Sequence, residues 1–139
     1  MGLLGTRKSL TLAAAKEIGA VAETEARKHH FTLCIAIFDE GGNLLYLVTM
    51  DGTQTGSILV AQQKGLAALR FMRPTKVFQD MVAGGKPHMA FLPGAMPVEG
   101  GVPLIAGGQV IGAIGVSGMT SDKDGLVAQA GADFAATLT

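Results

Sequence analysis

Apolar residues recur at helical spacing early in the chain, at Leu12, Ala15, Ile18, Ala22 and Ala26, with Lys16, Glu23 and Arg27 on other faces. This spacing predicts an amphipathic first helix. Ser9 or Thr11 is its candidate N-cap, and Lys28-His29-His30 suits the negative end of its dipole. The pattern then becomes a nearly unbroken apolar run over 32–38, read as a strand covered on both faces. Asp39-Glu40-Gly41-Gly42-Asn43 makes a turn, and a second strand over 44–48 completes an antiparallel hairpin.

A helical stripe of Ile58, Ala61, Gly65, Ala68 and Met72 predicts a helix over 57–72, ended by Pro74. Gly65 in its middle costs about 1 kcal/mol relative to alanine, which predicts close approach to the sheet or another helix. Thr75 is placed to cap a short helix over 77–82. Between His88 and Pro103, frequent proline and glycine predict a shaped loop. Strands over 103–106 and 109–116, joined at Gly107-Gly108, form a second hairpin, whose Gly112 and Gly115 permit close backbone contact. Ser121, with Asp124 three residues on, resembles a capping box opening a terminal helix with Val127, Ala130, Phe134 and Leu138 on its apolar face. The order of elements predicts one α+β domain over 9–139, an antiparallel sheet flanked by helices, after an N-terminal tail over 1–8.

Composition narrows the functional classes. At 139 residues and 48% hydrophobic, the chain has enough apolar surface for a core without a metal or disulfides. Eleven basic side chains match eleven acidic ones, so there is no strong field for nucleic acid or an anionic membrane surface, and neither is expected as a partner. No spanning helix or signal peptide is evident, and a match of the first residues to a myristoylation pattern is read as chance. The single cysteine, Cys34, lies in the most apolar run and reads as a core thiol in a reducing compartment, the cytoplasm by default. The methionines are dispersed and read mainly as core filling.

Three stretches carry a family resemblance: AIFDEGGNLLYLVTMDGT, QQKGLAALRFMRPT and GGVPLIAGGQVIGAIGVSGMTSDKDGLVAQAGA. Together they resemble the GlcG/HbpS-like family, also called haem-degrading or PduO C-terminal-like, over about residues 10–136. The resemblance implies a compact α+β domain that assembles into homo-oligomers, with haem bound by some members and varied roles in others. Two positions depart from the family pattern. Thr49 stands where an arginine usually precedes Met-Asp-Gly, and Gly65 follows Lys64 where alanine is usual. Loss of the arginine removes a bidentate anion donor.

The implied haem needs an axial ligand. Candidates are His29, His30, His88, Met50, Met89, Met119, Cys34 and Tyr46. Adjacent His29 and His30 diverge on a helix and suit its polar end. His88, beside Met89 in the proline-rich loop, is the candidate iron ligand, with plain loop structure as its other reading. Two further spots could bind an anion. Ser117-Gly118 precedes the last helix, where amides and a hydroxyl meet a positive dipole end, and Glu99-Gly100-Gly101 combines a carboxylate with freely bending backbone. Lys64 reads as a solvated helix lysine or as an anion partner.

Three functions follow. The first is binding of haem or a related tetrapyrrole, in an accessory or sensing role, in a cleft between the loop over 88–101 and the Ser117 turn, with Lys64, His88, Met89, Gly100, Gly101, Ser117 and Gly118 as ligand residues. The second is an enzyme acting on a small carboxylate or carbonyl compound, with Glu99 or Asp51 as base, Lys64 as charge partner and Gly100, Gly101 and Ser117 as oxyanion donors. Asp51 and Asp39 otherwise read as turn residues. The third is a structural assembly subunit.

Overall fold

The structure, a computed structural model, describes residues 2–139. The central strand is β1 (Cys34–Asp39), whose first five residues are buried. It pairs antiparallel on one side with β2 (Leu44–Thr49) and on the other with β4 (Gln109–Ser117), which in turn pairs with β3 (Gly101–Ala106). The order β2-β1-β4-β3 sets the two hairpins side by side. β1 and β4 are covered on both faces, which explains why their sequences lack polar alternation.

One face of the sheet carries α1 (Leu12–Lys28) and α4 (Ser121–Ala135). Ile35, Ile37, Ile114 and Val116 meet Ile18 and Ala22 of α1 and Val127 and Ala128 of α4 in the larger core. On the other face, Cys34, Ala36 and Phe38 pack against Ala61 of α2 (Gly56–Phe71). The short α3 (Thr75–Ala83) and a 3-10 turn over Pro87–Phe91 follow α2. The α+β architecture and its flanked antiparallel sheet are as expected.

Gly65 has a structural reason. A Cβ there would strike the Phe38 ring, and a Cβ on Gly115 of β4 would overlap the Ala61 carbonyl. The two glycines bring α2 onto β4 backbone to backbone, the close approach expected for Gly65.

Several local expectations are corrected by tertiary contacts. Leu12 and Met72 are exposed, so the stripes of α1 and α2 end one position short of them, and Met50 is the only methionine in the core among the described residues. Thr75 is the first residue of α3, not its cap; Pro74 holds the cap position. In α4 the buried face includes Ala128, Gly131, Ala132 and Ala135, while Ala130 and Phe134 are only partly buried. Of the tail expected over 1–8, residue 1 lies outside the described residues. The remainder forms no helix or strand, and the Lys8 amide donates to Gln109. No helix among the described residues is long and apolar enough to cross a membrane.

Candidate functional site

The geometry centres on Lys64. Helical spacing puts it on the same side of α2 as Ala61, Gly65 and Ala68, so it enters the protein and is only 1% exposed. The reading as a solvated lysine is therefore wrong. Its Nζ donates to the Val116 carbonyl at 3.0 Å and to Asp124 Oδ2 at 3.1 Å. Gly100, at φ +136, makes this possible: a Cβ there would strike both the Val116 carbonyl and the Lys64 ammonium. The backbone of Gly100 also belongs to the sheet edge, since its carbonyl accepts the Val116 N–H at 2.9 Å.

Asp124 is the other half of the pair. It does not close a capping box with Ser121, because Thr120 occupies the N-cap position and makes no side-chain bond there. Its Oδ1 accepts the Met119 N–H at 2.9 Å, and the Gly118 amide lies close enough to favour the charged carboxylate. The backbone amides just after Ser117 are thus turned toward the protein's own Asp124. Burial pushes this carboxyl above its ordinary range, opposed by Lys64 and by the Met119 and Gly118 amides.

Above the pair lies an open cleft of about 410 Å³, lined among others by Gln54, Ser57, Lys64, Val98, Ser117 and Asp124. Ser117 is 7% exposed. It pairs with Cys34 across the β1–β4 ladder and so faces the α2 side of the sheet. The hairpin end and the start of α4 do meet the end of the proline-rich loop here, through Val98, Gly100 and Ser117.

The remaining candidates are placed as follows. The Gly101 N–H already donates to Thr75 Oγ1 at 2.9 Å. Glu99 is half-buried; its carboxyl occupies the space that a side chain on Gly125 would fill, and its amide donates to Gln79 at 2.7 Å. Asp51 is exposed in the turn after β2 and does not line the cleft. His88 and Met89 lie in the 3-10 turn, His88 exposed and Met89 half-buried, and neither lines the cleft. The expected single cleft thus resolves into two places. His29 bonds Glu25 at 3.1 Å and stacks on Phe31, and His30 sits at φ 60 just past α1. Thr49, in the family's arginine position, donates to the Cys34 sulfur at 3.7 Å. Asp39 caps its turn by accepting the Gly41 and Asn43 amides. The described residues contain no group of three or more His, Cys, Asp or Glu arranged to hold a metal. Sequence reasoning missed Asp124, Ser57 and Gln54 as cleft residues; the one available signal was Asp124 lying so soon after the Ser117 turn.

A four-stranded antiparallel sheet between two helical layers, with a buried ion pair under a cleft at one sheet end, defines the structural class. The sequence model of the family described as "Haem degrading protein HbpS-like" matches residues 10–133, and the chain belongs to that family. It is 38% identical over 112 residues to Protein GlcG of Escherichia coli K12, covering 81% of this chain and 84% of GlcG. The crystal structure of Klebsiella pneumoniae protein ORFY superposes with a TM-score of 0.90 at 29% identity, covering 100% of this chain and 99% of ORFY. A double mutant of HbpS from Streptomyces reticuli gives a TM-score of 0.85 at 31% identity, covering 96% of this chain and 92% of HbpS.

Proposed function

We propose that this protein binds haem or a related tetrapyrrole, in an accessory or sensing role, on the face made by α3 and the 3-10 turn. Membership of a family described as haem degrading supports the ligand class. The observation that carries the reading is His88: an exposed imidazole with no hydrogen-bond partner among the described residues, three residues from Phe91, which is 84% exposed. An unengaged imidazole beside uncovered aromatic surface has the chemistry an iron porphyrin needs. A shallow groove of about 430 Å³ lined by Val77, Met81, Gly84 and Lys86, with Asp80, adjoins this turn through Lys86.

The residues therefore fit the group. His88 is the iron ligand, Met89 and Phe91 offer apolar contact, and Lys86 is the cation for a propionate. Haem supplies, when bound, the ligand-binding and redox chemistry of its iron. The chain acts as a homo-oligomer in this reading, since Leu44 and Leu59 are 44% and 62% exposed in the isolated chain and association would cover them. Its one thiol, buried and unpaired, suits the cytoplasm.

Hemin titration tests this. Wild type, His29→Ala and His30→Ala should give a saturable, shifted Soret band, and His88→Ala should lose it. The same broad band in all four proteins ends the proposal. Light scattering checks the assembly, and a monomer at micromolar concentration removes that part.

A further inference from the structure

We propose that the cleft above Lys64 and Asp124 is a second ligand site, separate from the His88 face, and that it takes a small monocarboxylate with a short apolar tail. Three groups that line it keep hydrogen-bonding capacity not used within the protein. The first is the Ser117 hydroxyl: the side chain is more than nine-tenths buried, lines the cleft, and makes no side-chain hydrogen bond among the described residues. With the rest of the residue buried, this hydroxyl meets solvent only through the cleft, so a ligand seated there would be its one partner. The second is Lys64, which lines the same cleft and donates to two acceptors, whereas an ammonium has three protons. The third is the N-terminus of α2, where Gly56 and Ser57 line the cleft. Thr55 makes no side-chain cap, and the first turn has no acidic residue to offset the dipole; the Ser57 amide already donates to the Gln54 carbonyl at 3.1 Å, so the amide left for a ligand is that of Gly56. By contrast, α4 carries Asp122 and Asp124 in its first turn.

Charge decides the class of anion. Asp124 already neutralises Lys64, leaving only the partial charge of one helix end and two donor protons. A dianion would leave far more charge uncompensated next to Asp124 than a monoanion would. Val60 and Val98 line the cleft too and give an apolar wall that a carbon tail can use and inorganic phosphate cannot.

The proposal is independent of haem, and its test is read separately. Propionate, acetate and inorganic phosphate are titrated into wild type by calorimetry and by amide chemical-shift mapping. Propionate should bind saturably in the millimolar range, ahead of phosphate, with shifts concentrated at Gly56, Ser57, Ser117 and Gly118. Ser117→Ala should weaken it by roughly tenfold, the loss of one hydrogen bond to a charged group, and His88→Ala should leave it unchanged. Absence of saturable binding, phosphate binding as tightly as propionate, shifts that map elsewhere, or a folded Ser117→Ala that binds like wild type would each overturn it. The mapping uses wild type alone and decides the question even if the variant does not fold.

Discussion

Lys64 and Asp124, sixty positions apart in the chain, meet at 3.1 Å with both side chains almost wholly buried. The contact ties the middle of α2 to the first turn of α4 past the edge of β4, so two helices on opposite faces of the sheet share one polar anchor. A buried pair is not in itself strongly stabilising, because desolvation offsets much of its attraction, but losing one member leaves the other charge uncompensated.

Lys64→Met should therefore destabilise the protein by about 3 kcal/mol. Pairing it with Asp124→Leu should cost clearly less than the two single effects added together, since neither charge is then left alone. Urea unfolding of the four proteins gives the coupling; strictly additive single effects would show that the contact does not link them.

The same pair sets an acid-side pH dependence. Burial holds the Asp124 carboxyl above its ordinary range despite Lys64 and two amides. The folded protein then keeps this proton at pH values where the unfolded chain has released it. The stabilising contribution is full below the ordinary carboxylate value and is lost as pH rises through the raised one. Asp124→Asn cannot titrate, so the difference in unfolding free energy between it and wild type should change across the weakly acidic range and level off above it. A difference that stays flat throughout would refute the direction.

Cys34 should be inert in the native protein. Burial raises its thiol above the ordinary value, and the hydrogen bond from Thr49 offsets this only in part. Native protein should react with an aromatic disulfide reagent at neutral pH at least about 100-fold more slowly than unfolded protein, because attack needs both a thiolate and an opening. Stability from this group is present below the ordinary thiol value and declines as pH rises through the raised one. Fast native labelling would contradict its burial.

Gly115→Ala should be among the most damaging single-methyl additions in the chain, because the new Cβ meets the Ala61 carbonyl and the Gly65 amide, both backbone. Overpacking against backbone costs about 1–3 kcal/mol or more. Gly85→Ala, where a Cβ meets nothing within 4 Å, isolates the lesser effect of a positive φ. Thermal melts of the two variants compare them, and an equal loss in both would argue against the close approach of α2 to β4.

The fold was legible because its signals are local. The doubly covered β1 appears as an apolar run, the first helix is spaced by Ala15, Ile18, Ala22 and Ala26, and Gly107-Gly108 marks the turn of the second hairpin. Of the candidate site, Lys64, Gly100 and Ser117 were legible as residue types and do meet. Asp124 was read as a local cap, since a Ser-x-x-Asp spacing says nothing about a lysine on another helix. His88 was grouped with the Ser117 cleft because it shares a loop with Gly100 and Gly101, yet the 3-10 turn sets it apart.

By itself, then, the amino-acid order determined the elements, their succession and the need for α2 to lie close to its neighbour at Gly65. These follow from periodicity and backbone sterics within a few residues. Only the tertiary structure decided that Lys64 is buried, that Asp124 is the anion beneath the Ser117 turn, and that the histidine and the cleft are two places. The burial and charge partners of a side chain depend on whatever element packs against it, and in this chain those elements come from the far ends of the sequence.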